Sequence, residues 1–503
     1  MQARRARVRR LALLVMLLLP SAAAQPANAC APAAAGPITL RVAEFNIEYG
    51  GTHVSFDKVV QAIRRGGADV VAIEEGYGHM PRLARRLGWP SYSVRTQVVS
   101  RYPVIDPPGA DGRYVLVEVA PGEVVAIENV HLPSNPYGPY WTRSRPRRDV
   151  VALERRRRLP AIRPYLRTAR TLVASGIPVF LAGDFNAPSW RDWTPEMVGV
   201  RPQIRYPVRW PVSVAVERAG FVDSYRSVHP DPMARPGLTW WAARPQLPGW
   251  NPGPHAPQDR IDFVYAAGAA RPTDSVIVGE PGAPGVDVAV RPWPSDHRSV
   301  VSTFEVTPGV PPVFVAVERR LIAAGDDLRV SFHAPGQPGE RVVIVPAGGD
   351  PTVDTRASHP TGGATDGTLV FATGSLAAGS YDAVLVDAGG TELSRIPFWV
   401  ELPGAVPEIS TGRRTYAVGE GIDVSWRNAP GNRWDWVGIY HRGANPRKAY
   451  YLLWAYTGAS VEGSATLDAS ASGPWPLPAG RYSVYLLKDD GYTALARADF
   501  EVG

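Results

Sequence analysis

The sequence predicts an α/β layered sandwich from Ile38 to about Phe304, followed by two all-β sandwiches. Three observations predict it. Short β-branched runs alternate with longer amphipathic ones up to Phe304, the pattern of strands interleaved with helices. After Thr307-Pro308-Gly309 the helical period disappears, and short alternating strands recur with turn residues between them, as β-sandwiches require. This second part also repeats itself at a spacing of roughly 95 residues. A chain of 503 residues is too long for one core and suits about three domains. The expected boundaries are 37–307, 311–402 and 405–503, behind an N-terminal segment of residues 1–29.

Residues 1–29 read as an export signal. Arg4, Arg5, Arg7, Arg9 and Arg10 precede the apolar run Leu11 to Leu19, then Pro20 and small residues. Cleavage after Ala24 or after Ala27-Asn28-Ala29 would deliver a secreted or periplasmic protein. The Arg9-Arg10 pair leaves twin-arginine export open. Cys30 leaves a lipoprotein anchor open, although Ala27 is a poor match to the usual Leu. The run is too short to span a bilayer, and no later stretch reaches about 18 apolar residues. Five of the seven excess positive charges lie in this segment, leaving +2 for the rest, so the basic isoelectric point does not argue for nucleic-acid binding. Cys30 is the one cysteine, which excludes an intramolecular disulfide and a cysteine-rich metal site.

In chain order, residues 38–47 form a strand with alternating character. Phe56 to Arg65 is a helix with Phe56, Val59, Val60 and Ile63 on one face and Ser55 as N-cap. Residues 69–75, DVVAIEE, form a buried strand, and Pro81 to Leu87 a short helix with Pro in its first turn. The strands 114–120 and 123–132 flank Pro121-Gly122, a hairpin signal. A basic helical region, Arg147 to Ala174, is interrupted by Pro160 and Pro164. Val179 to Ala182 is a buried strand that Gly183 lets exit sharply, and Pro188 delays the next helix. A Trp- and Pro-rich loop (190–211), a helix from Ser213 to Ala219, and strands 260–266 and 297–306 complete the unit.

The repeat pairs GDDLRVSF (325–332) with GEGIDVSW (419–426), ERVVIV (340–345) with DWVGIY (435–440), and LAAGSYDAVLVDAGG (376–390) with LPAGRYSVYLLKDDG (477–491). The second copy alone carries Trp434, Trp436, Tyr450, Tyr451, Trp454 and Tyr456. These read as core and hairpin-face residues, or as a surface- or glycan-binding patch.

Polar residues collect where strands of the first unit end. Asn46 closes the first strand, Glu74 and Glu75 the second, and His131 ends the run ENVH. Asp184 and Asn186 follow FLAG, Asp262 lies in RID, and Asp296 and His297 form SDH before the last strand. Each alone fits a turn or cap; Asp184 and Asn186 also suit an Asx-turn. Together they place carboxylates, imidazoles and amides at one rim, where open α/β sheets bind ligands. No Ser-centred signature of acyl transfer accompanies them.

The ordered set FN, DVVAIEE, NVHL, GDFN, then RID and SDH, between Ile38 and Val306, resembles the endonuclease/exonuclease/phosphatase superfamily. That family includes DNase I, apurinic endonucleases, inositol-polyphosphate phosphatases and neutral sphingomyelinases. The resemblance implies a DNase I-like four-layer α/β sandwich and Mg²⁺-dependent hydrolysis of a phosphoric ester by in-line attack of water, with Mn²⁺ or Ca²⁺ as alternative ions. By position, Glu75 corresponds to the metal-binding glutamate, Asp296 lies near the ion, and Asn46 would help hold the metal or the phosphate. Glu74 stands where Gln is usual. Asp184 would orient or deprotonate the attacking water, and Asn186 would hydrogen-bond the phosphoryl oxygens. His297 would contact the phosphate with Asp262 fixing its ring, and His131 would be a second phosphate contact or general acid. The chemistry is consistent: a phosphodiester repels hydroxide, so a hard cation and preorganised donors are needed.

A small or lipid-linked phosphate ester is preferred as substrate over nucleic acid, with an extracellular DNase I-like endonuclease as the alternative. A non-catalytic adhesion or binding protein would need one of Glu75, Asp184 or His297 to be missing, and all three are present. Residues 143–170 hold eleven Arg against Asp149 and Glu154, which suits a solvated helix face or a phosphodiester backbone. Trp141, Trp190, Trp193, Trp210, Trp240, Trp241 and Trp250 fall in loops that could border the site. The Pro-rich loop 244–257 could act as a lid. The sandwiches are expected to position the enzyme or its target, and to be dispensable for chemistry on a soluble substrate.

Overall fold

The computed structural model describes residues 36–245 and 257–503, except 403, 433, 459 and 472. The export segment, Trp250 and most of the loop 244–257 lie outside the described residues. The chain separates into Met1–Gly36 and Pro37–Gly503, and the described strands and helices all belong to the second unit.

The strands of the α/β part are β1 (Ile38–Asn46), β2 (Val70–Glu74), β3 (Ser91–Ser93), β4 (Val98–Ser100), β5 (Val104–Ile105), β6 (Tyr114–Ala120) and β7 (Glu123–His131). They continue with β8 (Val179–Asp184), β9 (Val222–Asp223), β10 (Asp262–Ala267), β11 (Ala270–Gly279), β12 (Val288–Ala289) and β13 (Ser299–Val306). One sheet has the order β12-β11-β13-β1-β2-β4-β3 and the other β5-β6-β7-β8-β10-β9. Both are mixed: β1 runs parallel to β2 and antiparallel to β13, and β8 runs parallel to β7 and antiparallel to β10.

The helices are α1 (Phe56–Gly66), α2 (Met80–Leu87), α3 (Gly138–Trp141), α4 (Arg147–Arg157), α5 (Leu159–Ala174), α6 (Pro211–Arg218) and α7 (Ser224–Val228). Three apolar layers follow from strand alternation. Leu40, Val42, Val70, Ala72, Val125, Ile127, Phe180 and Ala182 meet between the sheets. Ala43 and Phe45, on the other face of β1, pack with α1 and α2. Val130, Val179 and Leu181 pack with α5 and α6. The result is a four-layer α/β/β/α sandwich.

Some expectations change. Ser55 precedes α1 without a side-chain capping bond. Pro160 starts α5, and Pro164 lies inside that helix without ending it. The sequence reading missed β11, because Pro272 and polar residues occupy its first half, where a bulge relieves the register. Among the described residues no helix is long and apolar enough to cross a membrane.

The C-terminal region forms two sandwiches of identical strand order. The first has β14 (Phe314–Val317), β15 (Leu321–Ala323), β16 (Asp327–His333), β17 (Arg341–Pro346), β18 (Ala357–Pro360), β19 (Asp366–Ala372), β20 (Gly379–Val386) and β21 (Glu392–Glu401). The second has β22 (Glu408–Thr411), β23 (Thr415–Tyr416), β24 (Ile422–Arg427), β25 (Trp436–His441), β26 (Leu453–Tyr456), β27 (Gly463–Leu467), β28 (Gly480–Leu487) and β29 (Ala494–Val502). Sheets β14-β16-β19 and β15-β21-β20-β17-β18 in one match β22-β24-β27 and β23-β29-β28-β25-β26 in the other. Even a corner bond repeats: the Tyr381 hydroxyl donates to Ala377 O at 2.9 Å, and the Tyr482 hydroxyl to Pro478 O at 2.7 Å.

Candidate active site

The inter-sheet face is apolar along most of its length and polar at one end. Along β1 it reads Leu40, Val42, Glu44, Asn46; along β2, Val70, Ala72, Glu74; along β8, Phe180, Ala182, Asp184. Strand register completes the arrangement, pairing Asn46 with Glu74 across β1 and β2. His131, Asp184 and Asp262 stand level across β7, β8 and β10. Two sheets therefore deliver their polar strand-ends to one rim.

The most closely packed donors there are Asp184, Asp262 and His297, all buried, with ligand atoms within 4.8 Å of one another. His297 Nδ1 donates to Asp262, at 2.9 and 3.1 Å from its two oxygens. Its Nε2 lies 3.7 Å from Asp184 Oδ2 and 3.9 Å from Asp296 Oδ1. Burial disfavours the charged ring, but Asp262, Asp184 and Asp296 outweigh it and raise the pKa well above the usual imidazole value. The loop is fixed by Ser295, whose hydroxyl donates to Asn46 O at 2.7 Å and accepts the His297 N–H at 3.0 Å.

Asp184 is held by its own loop. Its Oδ1 accepts the Asn186 N–H at 2.8 Å, and its Oδ2 the Asn186 side-chain amide at 3.1 Å. The same amide donates to Leu132 O at 3.0 Å, so both its hydrogens are engaged within the protein and the expected bond from Asn186 to phosphoryl oxygens gives way to a hold on Asp184. Burial and Asp262 raise the Asp184 carboxyl to about 6, against the pull of His297, His131 and the Asn186 N–H.

Glu75 follows β2 with φ at 55°, a left-handed turn that swings its side chain to the rim. Its Oε2 accepts the Tyr49 N–H at 2.9 Å and the Tyr77 hydroxyl at 3.2 Å, while Asn46 Nδ2 reaches Oε1 at 3.4 Å. Glu74 instead points between the sheets, fully buried beside Glu44. Burial raises both carboxyls well above the usual range. Of the two adjacent glutamates, Glu75 is therefore the one that faces the rim.

Asp296 accepts the Trp240 indole N–H at 3.3 Å. Its backbone N–H donates to Glu48 Oε2 at 3.1 Å, and Arg244 clamps both Glu48 oxygens at 2.6 Å. Burial raises the Asp296 carboxyl to about 7; His297 and Arg244 lower it, while Glu48 and Glu75 raise it further. Carboxylates crowded enough to resist ionisation are the environment a hard cation relieves, so the residues fit a divalent ion.

His131 makes a contact with the second sandwich that the sequence reading did not expect. Its Nε2 lies 3.6 Å from Asp184 Oδ2, as a rim residue should. Its Nδ1, however, donates at 3.0 Å to Asp490, on the turn between β28 and β29. Burial lowers the ring's pKa, but the Asp490 bond and charge, with Asp184 and Glu75, push it up to about 10. The second sandwich thus touches the site directly. Sequence reasoning missed Asp490, because a DDG triplet after a strand carries only a turn signal. It also missed Glu44 and Glu48, although both share the alternation that places Asn46.

The remaining expectations divide. Trp240 borders the site, whereas Trp193 and Trp210 pack edge-on at 5.0 Å inside the 190–211 loop, where Trp193 donates to Asp259 at 3.1 Å. In the basic region, Arg158 is fully buried on Glu154 at 2.6 Å. Five other arginines of this region, Arg163, Arg167 and Arg170 among them, line a groove of about 980 Å³ together with Arg209, Arg218 and Trp190 and no carboxylate. None of the rim residues lines it.

A buried acid–imidazole rim at the end of two packed mixed sheets defines a hydrolytic site of the phosphoesterase class. The chain belongs to the Endonuclease/Exonuclease/phosphatase family, which matches residues 43–297. It is 30% identical over 294 residues to the uncharacterized protein F14F9.5 of Caenorhabditis elegans, covering 53% of this chain and 91% of that protein. Among solved structures it is similar to an endonuclease/exonuclease/phosphatase from Beutenbergia cavernae, with 20% identity, TM-score 0.34, and coverage of 72% of this chain and 99% of that one. Its β-rich part is similar to fibronectin(III)-like modules of Clostridium thermocellum CbhA, with 17% identity, TM-score 0.15, and coverage of 38% and 93%.

Proposed function

We propose that the protein is an exported, divalent-metal-dependent phosphoric ester hydrolase acting on a small or lipid-linked phosphate. The observation that carries the reading is Asp184 within 3.6 and 3.7 Å of two imidazoles, each aimed by its own carboxylate. Asp184 accepts a proton from the attacking water. His297 and His131 present Nε2–H donors to the phosphoryl oxygens or the leaving group, and Asn186 holds Asp184 in place. Glu75 and Asp296, with Asn46, would hold the cation, Mg²⁺ before Mn²⁺ or Ca²⁺, which supplies charge neutralisation and a more acidic water. Export rests on residues 1–29 alone, and N-terminal sequencing of the mature protein checks it.

A second reading, an extracellular nuclease, is favoured by the arginine-lined groove, since guanidinium groups with no carboxylate among them suit a phosphodiester backbone. One experiment separates the two. The protein is incubated with nitrophenyl phosphate esters and with plasmid DNA, each in Mg²⁺ and in EDTA. Ester hydrolysis abolished by EDTA supports the first reading, and metal-dependent nicking with inert esters supports the second. No turnover in any mixture would sink both.

A further inference from the structure

We propose that the second sandwich completes the active site, with Asp490 as the positioning residue that aims His131 at the reacting phosphate. The proposal rests on the phosphoesterase reading and deepens it.

Asp490 is 359 residues from His131 in sequence, yet its carboxylate is fully engaged. Oδ2 accepts the His131 Nδ1–H at 3.0 Å, and Oδ1 accepts the Tyr456 hydroxyl at 3.0 Å. With Nδ1 committed, Nε2 is the nitrogen that faces Asp184 and the rim. Trp434, also from the second sandwich, packs edge-on against the His131 ring at 6.4 Å between centroids. Within the α/β part, the other rim histidine takes its carboxylate from Asp262. His131 takes the equivalent partner from another module.

The turn is built to hold that carboxylate still. Asp489 Oδ2 accepts the Gly78 N–H at 2.5 Å and its Oδ1 the Gln97 side-chain amide at 2.9 Å. Its own N–H donates to Asp435 at 3.0 Å, and the Asp490 N–H to Trp434 O at 2.7 Å. Asp489 and Asp490 are consecutive left-handed residues, with φ of 49° and 61°. They are the central pair of a turn closed by the Gly491 N–H on Lys488 O at 2.8 Å, whose backbone needs a left-handed conformation at both positions, one that Asp tolerates. The aligned positions of the first sandwich are Ala388 and Gly389, so these carboxylates are particular to the copy that touches the site.

In the step this serves, water attacks phosphorus and its proton passes to Asp184. The bond from phosphorus to the leaving oxygen breaks, and that oxygen takes the His131 Nε2 proton. Asp490 changes neither its bonds nor its proton; it keeps the ring oriented.

The test is a double-mutant cycle in the full-length chain, with nitrophenyl phosphate esters as substrate. Asp490→Ala is expected to lower kcat at least tenfold with KM within about twofold, while adding nothing in a His131→Ala background. Ring ¹⁵N and ¹H spectra should show a downfield Nδ1–H on His131 in the wild type that Asp490→Ala removes. Asp490→Asn, which keeps an acceptor, should recover part of kcat. Equal losses from Asp490→Ala with and without His131 would make the role structural and overturn the proposal, as would an unchanged His131 ring signal. A wild type inert towards every ester would overturn the phosphoesterase reading itself, an outcome distinct from an active wild type that tolerates Asp490→Ala.

Discussion

Asn46 and Asp184 come from different sheets, and the Asn46 amide nitrogen lies 3.3 Å from Asp184 Oδ2. The contact fixes the spacing between the two halves of the rim, because the same nitrogen reaches Glu75 Oε1 at 3.4 Å. Asn46→Ala should lower kcat/KM by one to two orders of magnitude, about 1.4–2.7 kcal/mol of barrier, while thermal unfolding stays near wild type. Steady-state kinetics beside a melting curve checks this, and full activity would remove Asn46 from the site.

Asp184→Asn and His297→Ala are expected to reduce turnover by about two to three orders of magnitude, roughly 3–4 kcal/mol, the usual effect of losing a preorganised group. Circular dichroism should show both folded. Wild-type rates in either variant would exclude that side chain from the reaction.

Much of this rim was legible in the sequence, since strand alternation and the order of six short motifs placed every candidate side chain at a strand end. The same alternation could have named Glu44, two residues before Asn46. What stayed hidden was hidden for physical reasons. β11 carries Pro272 and polar residues in its first half, so local propensity opposed a strand that tertiary pairing enforces. Glu75 was chosen over Glu74 by resemblance alone, because the physical reason, a left-handed turn at Glu75, leaves no mark in the local pattern. Asp490 reaches His131 through the docking of a separate module, and no spacing rule spans that distance.

Gly183 has φ at 135°, and a Cβ there would stand 2.0 Å from Val130 O on the neighbouring strand. Backbone cannot yield as a flexible side chain can, so Gly183→Ala should force β7 and β8 apart. A loss of about 3 kcal/mol or more in chemical denaturation is expected, with activity lost alongside. A variant of unchanged stability would show that this strand pair is more pliable than its register implies.

Asp489 provides a pH signature. Burial first, then Asp435 and Asp490, raise its carboxyl to about 8, against the Gly78 N–H and Lys488. In the unfolded chain such a group titrates near about 4. Between those values the folded state keeps the proton and the unfolded state does not. Its contribution is therefore fully present below about pH 4, is lost as pH rises to about 8, and is constant above, with a limiting slope of about 1.4 kcal/mol per pH unit. Urea unfolding of wild type and Asp489→Asn from pH 5 to 9 should give curves whose difference shrinks with pH in this sense. Parallel curves would contradict the assignment.

Chelation should act on the fold as well as on the rate. Asp296, raised to about 7 by burial with Glu48 and Glu75, is a carboxyl that a nearby cation would help to ionise. Adding Mg²⁺ to EDTA-treated protein should raise the melting temperature in a saturable way, and Glu75→Gln should weaken that response. A melting temperature indifferent to Mg²⁺ would place the ion elsewhere or exclude it.

The duplicated sandwiches share one strand order but have parted company at a single turn. In the first, Asp387 spends its carboxylate on its own Thr391 N–H at 2.8 Å, an inward-looking hairpin. In the second, the matching turn reaches out of its module to Gly78 and to His131 at the rim. Duplication thus left one turn satisfied within its own module and the other bonded to Gly78, Gln97 and His131. Under the proposal that Asp490 aims His131, inserting or removing a few residues where one module joins the next is expected to lower kcat as Asp490→Ala does, by withdrawing the same carboxylate.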